Sequence, residues 1–171
     1  TKFTYGNDAL DGKRILIQGI GHVGEELVRL TAEEGAKVII SDINEERLEA
    51  VSAKYGVDIY RGDDLYAEPA DIYAPCALGA TINDETIHKL QVKIIAGAAN
   101  NQLANENIHG AMLQKRGIVY APDFLINAGG IINVFAEIEG YGRKQIITKT
   151  TNIYNTTLDI LNKSKATNIT T

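Results

Sequence analysis

Short apolar runs alternate along this chain with longer stretches in which apolar positions recur every three or four residues. Arg14-Ile15-Leu16-Ile17-Gln18 and Lys37-Val38-Ile39-Ile40-Ser41 are rich in β-branched residues and stop at Gly19 and Asp42. Both read as strands buried on two faces, as in a parallel sheet. Between them Val23, Leu27, Leu30 and Thr31 recur at helical spacing from His22 to Glu34, and Gly35 stands just past the end, where a C′ glycine belongs. The segment is a β-α-β unit of the expected length. Asn44 is placed to cap a second helix with Leu48, Val51 and Tyr55 turned inward, Arg47 and Glu49 outside, and Gly56 at its end.

The alternation continues. Asp71-Ile72-Tyr73-Ala74, Lys93-Ile94-Ile95-Ala96 and Gly117-Ile118-Val119-Tyr120 are further strands, separated by helices over Asp84 to Leu90 and Glu106 to Arg116. From Arg143 to Asn162 a stripe of Ile146, Thr150, Ile153, Thr157, Ile160 and Leu161 predicts a long amphipathic closing helix, with a frayed polar tail from Lys163 to Thr171. This order predicts an α/β fold, a doubly wound parallel sheet of the Rossmann type in one domain. Residues 1–13 are expected to lead in, 14–142 to form the Rossmann-type unit and 143–171 to close it.

Composition narrows the picture. With 171 residues, 44% hydrophobic and 23% charged, the chain is ordinary globular material, long enough to bury roughly 70% of its unfolded surface. A net charge of −5 without a basic stripe argues against duplex nucleic acid as a partner. The longest charge-free stretches, such as Phe124 to Ala136, fall short of a membrane span. Cys76 is the one cysteine and has no internal partner. With charged residues through the first twenty positions and no leader pattern, the expected compartment is the cytoplasm. The first residue is Thr1 rather than Met, as expected of a piece of a longer protein. No metal site is expected.

The chemistry starts at Gly19-Ile20-Gly21-His22-Val23-Gly24, which follows the first strand and opens the first helix. That context gives the G-x-G-x-x-G pattern its meaning. Gly19 permits the tight turn, Gly21 lets the backbone approach a pyrophosphate, and Gly24 lets the helix pack on the strand. The helix N-terminus offers N–H groups and a positive dipole end to an anion. Ile20, His22 and Val23 take part through the loop backbone, and His22 is assigned no acid or base role. Twenty-one residues after Gly21, Asp42 ends the second strand, followed by Ile43. A carboxylate there accepts from ribose hydroxyls and repels a 2′-phosphate, which favours NAD over NADP.

Three further stretches follow strand ends: Ala74 to Asn83 (APCALGATIN), Ala96 to Leu103 (AGAANNQL) and Tyr120 to Val134 (YAPDFLINAGGIINV). Ligands sit at that rim in open parallel sheets, and small residues with amide side chains suit a flat uncharged ring. Together with the glycine loop these stretches resemble the coenzyme-binding domain of the leucine, phenylalanine and valine dehydrogenases, from about Gly6 to Arg143. Glutamate dehydrogenases share the layout, but their asparagine and Ala-Gly-Gly stretches differ in detail.

The resemblance implies reversible oxidative deamination of an L-amino acid to a 2-keto acid and ammonia, with hydride passing to NAD. By it, Cys76 and Ala77 run along the cofactor through their backbone, Ala98 and Ala99 also belong to the cofactor site, and Asn100 lies near the nicotinamide ribose. Asn127 sits where nicotinamide and substrate carboxylate meet, with an amide able to donate and accept. Ile131 and Val134 match positions that wall the substrate side chain. By periodicity alone these two fit a core face as well as a pocket wall, and Cys76 reads as a small packed hydrophobe rather than a nucleophile.

The resemblance also implies a general-base lysine in a separate N-terminal domain, in a glycine-rich stretch that has no match here. No catalytic residue is therefore assigned within the chain, which is expected to bind NAD without turning over. The intact enzyme is expected to be a homo-oligomer in which that domain is the partner. Two alternatives remain at this point: a non-catalytic NAD-binding sensor domain, and the coenzyme domain of a glutamate-type enzyme.

Overall fold

A computed structural model describes all 171 residues. The short helix α1 (Lys2–Tyr5) leads into β1 (Arg14–Gln18), α2 (His22–Glu33), β2 (Lys37–Ser41), α3 (Glu45–Tyr55) and β3 (Asp58–Ile59). Then come β4 (Ile72–Pro75), β5 (Ile94–Ile95), α4 (Glu106–Lys115), β6 (Val119–Tyr120), α5 (Asp123–Ile126), α6 (Gly129–Glu139) and α7 (Arg143–Thr167). The six strands form one sheet in the order β3-β2-β1-β4-β5-β6, and every pairing is parallel. This is the Rossmann-type strand order, with its switch point between β1 and β4.

Alternation along β1 builds two cores. Ile15 and Ile17 join Val28, Ile40, Leu48 and Val51 beneath α2 and α3, while Leu16 joins Tyr73, Ile87, Ile95 and Leu113 on the opposite face. A fully buried aliphatic side chain contributes about 1.5–3 kcal/mol, so the continuous apolar strands fix the centre of the sheet.

Most expected elements are present, and three expectations are corrected. Residues 84–90 form turns rather than a helix. Asn83 Oδ1 accepts the N–H groups of Glu85 and Thr86, as a helix cap would, but Thr86 Oγ1 turns back to the Thr81 carbonyl at 2.6 Å. So short a segment, with its side chains competing for the backbone, nucleates without propagating. In α2 the buried face is Gly24, Val28 and Thr31, whereas Val23 and Leu30 are exposed, because Gly24 must face the strand for the helix to approach it. The tail is not frayed: α7 runs to Thr167, Ser164 Oγ donates to the Ile169 carbonyl, and Thr171 Oγ1 donates to Tyr120 at the sheet edge (2.9 Å).

The lead-in is also anchored. Tyr5 donates its hydroxyl to Asp71 (2.7 Å), whose other oxygen accepts the Arg14 N–H (3.0 Å). In α3, Asn44 caps the Arg47 N–H at 2.9 Å, Leu48 and Val51 are buried, and Tyr55 is half-buried. No helix is long and apolar enough to cross a membrane.

Candidate coenzyme site

At the carboxyl ends of β1, β2 and β4 the chain turns at Gly19, Asp42 and Cys76, so these three positions meet at the switch point. Gly19 has φ +91°, and a methyl group there would lie 2.6 Å from the Ala77 methyl. Only glycine takes that turn without strain and with Ala77 so close. At Gly24 any side chain would overlap the Gly19 carbonyl, so α2 is drawn in behind the loop. Gly21, by contrast, caps α2 with no side-chain bond and opens onto free space. The first helical N–H groups therefore face a cradle with no side chain in it, which fits a pyrophosphate.

Asp42 closes this loop. Its Oδ2 accepts the Ile20 N–H at 2.8 Å and its Oδ1 the Asn44 N–H at 3.0 Å. Beside it Ile43 is fully exposed, and in the stretch after β4 Leu78 is 81% exposed. Below, Tyr73 donates its hydroxyl to Gln18 Oε1, and Gln18 Nε2 donates to Tyr66 (3.3 Å). Burial pushes the Tyr73 phenol well above its ordinary pKa, so this support stays protonated.

The three rim loops interlock. The Ala80 N–H donates to the Asn101 carbonyl at 2.7 Å, and Ala80 and Asn101 both sit at positive φ, +57° and +50°. Ala98 donates its N–H to Cys76 Sγ (3.5 Å), and burial raises the Cys76 thiol pKa, in keeping with a packed side chain. Asn127, between α5 and α6, extends Nδ2 to Asn100 Oδ1 at 2.5 Å. Asn100 and Asn127 are thus brought together although 27 residues apart. A cleft of about 550 Å³ runs from His22 and Val23 on α2 to Ala98 and Ile126.

Ile131 and Val134 lie on one face of α6, 71% and 57% exposed, beside exposed Phe135 and Ile138. They are not core residues. Sequence reading missed two buried polar groups behind the rim, Gln102 and Asp123. Their signal was a polar residue inside each small-residue rim stretch, but nothing local announces their pairing.

The strand order, with its glycine turn at the switch point, defines a Rossmann-type α/β domain. The chain belongs to the glutamate/leucine/phenylalanine/valine dehydrogenase family, whose profile matches residues 40–169. It is 48% identical over 164 residues to a leucine dehydrogenase of Thermoactinomyces intermedius, covering 96% of this chain and 44% of that protein. Against the leucine dehydrogenase of Bacillus subtilis (strain 168) it is 50% identical over 153 residues, covering 90% and 42%. The crystal structure of L-tryptophan dehydrogenase from Nostoc punctiforme superposes with a TM-score of 0.95 at 41% identity, over 99% of this chain and 51% of that one. The chain thus spans about half the length, or less, of these relatives.

Proposed function

We propose that this chain is the NAD-binding domain of an amino-acid dehydrogenase that reversibly deaminates a branched-chain or aromatic L-amino acid to its 2-keto acid and ammonia. The observation that carries the reading is the glycine loop at the switch point, open at Gly21 and closed by the Asp42 carboxylate. Bound NAD supplies the hydride acceptor. Gly19, Gly21 and Gly24, with the backbone of Ile20, His22 and Val23, hold the pyrophosphate. Asp42 takes the adenosine ribose and disfavours a 2′-phosphate, with Ile43 beside it. The Cys76-Ala77 backbone and Ala98, Ala99 and Asn100 border the nicotinamide half, and Asn127 offers its amide to the nicotinamide and the substrate carboxylate.

Apolar Ile131 and Val134 suit a substrate with an apolar side chain, as do the leucine, phenylalanine and tryptophan substrates named for relatives. The general base is a lysine outside these residues, in a partner domain that completes a cleft in a homo-oligomeric enzyme. Titration of the 171-residue chain with NADH by fluorescence, with leucine-dependent NAD reduction assayed on the same sample, tests this. Binding without turnover is the expected result. Failure to bind NADH overturns the reading, and turnover overturns the placement of the base.

A further inference from the structure

Asp123 is a carboxylate only 6% exposed, and no cation pairs with it. A buried unpaired charge is expensive, and proteins keep one where hydrogen bonds to it hold something in place. Its Oδ2 accepts the backbone N–H of Gln102 at 2.8 Å and its Oδ1 that of Phe124 at 2.7 Å. Gln102 is fully buried, and its Nε2 donates to the carbonyls of Gly97 (2.7 Å) and Ala99 (3.0 Å). One side chain therefore clamps the turn that carries Ala98 and Asn100, and Asp123 clamps the residue that bears that side chain.

The other end of the circuit is equally short. The Asp123 carbonyl accepts the Asn127 N–H at 3.1 Å, and Asn127 Nδ2 reaches Asn100 Oδ1. Gln102, Asp123, Asn127 and Asn100 thus link the two rim loops twice, through buried groups at the root and exposed amides at the tip. Adjacent Tyr120 is buried with its phenol pKa raised, by desolvation first and the Asp123 charge second, so no ionised phenolate competes at the root.

We propose that Asp123, acting through Gln102, is a positioning residue that sets the Asn100–Asn127 pair at the nicotinamide end of the site. This rests on the NAD reading above and assigns a role to a residue that touches no ligand. The circuit joins only the loops after β5 and β6, so it governs the nicotinamide half and leaves the phosphate loop and Asp42 untouched. In Asp123→Asn, one of the two N–H donors meets an amide NH₂ in place of an acceptor, and the root of the circuit opens.

The test compares two probes on the 171-residue chain, NADH and ADP, which share the adenosine and both phosphates and differ by the whole nicotinamide ribose unit. In Asp123→Asn the NADH dissociation constant rises about tenfold, the effect of losing one charge-assisted hydrogen bond, and that of ADP stays within about twofold. Equal weakening of both would mean a general structural role and overturns the proposal, as does no change in either. If the variant does not fold, hydrogen exchange in the unaltered chain decides: NADH slows the Gln102 amide and ADP does not, and an amide indifferent to NADH overturns the proposal. An unaltered chain that binds neither probe overturns the coenzyme reading itself. One that binds both, without the split in the variant, overturns only the positioning role.

Discussion

The Oδ2 atom of Asp42 accepts a hydrogen bond from the backbone N–H of Ile20 at 2.8 Å, tying the end of β2 to the middle of the phosphate loop. The residue proposed to meet the ribose is therefore also a brace for the pyrophosphate cradle. Asp42→Gly removes both functions, and NADH affinity is expected to fall at least about tenfold. Asp42→Asn keeps an oxygen for Ile20 but loses the charge, so it retains more NADH affinity and relaxes discrimination against NADPH. Paired titrations with NADH and NADPH check this, and an unchanged preference in both variants removes Asp42 as the ribose ligand.

Gly24→Ala tests how closely α2 must approach. A methyl group at Gly24 overlaps the Gly19 carbonyl, which is backbone and cannot swing aside. Overpacking of this kind costs about 1–3 kcal/mol, and here it also shifts the loop that faces the pyrophosphate. Urea unfolding should report the stability loss and NADH titration a parallel loss of affinity.

Ile131 and Val134 should behave in the opposite way. Both are exposed on α6, so Ile131→Ser and Val134→Ser are expected to change the stability of this chain by no more than about 0.5 kcal/mol. Their effect should appear in the complete enzyme as altered preference among leucine, phenylalanine and tryptophan. Thermal unfolding of the chain and kcat/KM ratios of the whole protein measure the two halves of the prediction.

A pH dependence is expected from Asp71. Burial opposes its ionisation, but the Tyr5 hydroxyl, the Arg14 N–H and nearby Lys13 and Lys93 outweigh burial and hold its pKa below the ordinary carboxylate value. A carboxyl depressed in the folded state contributes stability above its unfolded pKa of about 3.9, and that contribution is lost as pH falls through the folded value. The urea midpoint should therefore drop on acidification below about pH 4, more steeply than in Asp71→Asn. Parallel curves for the two proteins would refute the assignment.

The central sheet and phosphate loop were legible in the sequence because β1 and β2 are continuous apolar runs and the glycines stand at fixed spacing between them. Elements of two to four residues, such as β3 and α5, carry no period of their own. Their hydrogen-bonding neighbours define them. The buried side of α2 was misread because hydrophobicity pointed to Val23 and Leu30, while the decisive constraint was the missing side chain of Gly24. At the site, the amides of Asn100 and Asn127 stood out, but the Gln102–Asp123 bond joins residues 21 positions apart and leaves no local pattern.

The two halves of the sheet differ in length. On one side β1 and β2 pair over five residues, and on the other β5 and β6 pair over two. Local openings start where the fewest backbone bonds must break together, so the β5–β6 half should unzip and reclose many times before the β1–β2 half opens once. The proposed nicotinamide loops grow from the frequently opening half, and the phosphate loop from the other. A dinucleotide docking here meets a rigid anchor at its adenosine end and a hinge that it must quiet at its reactive end.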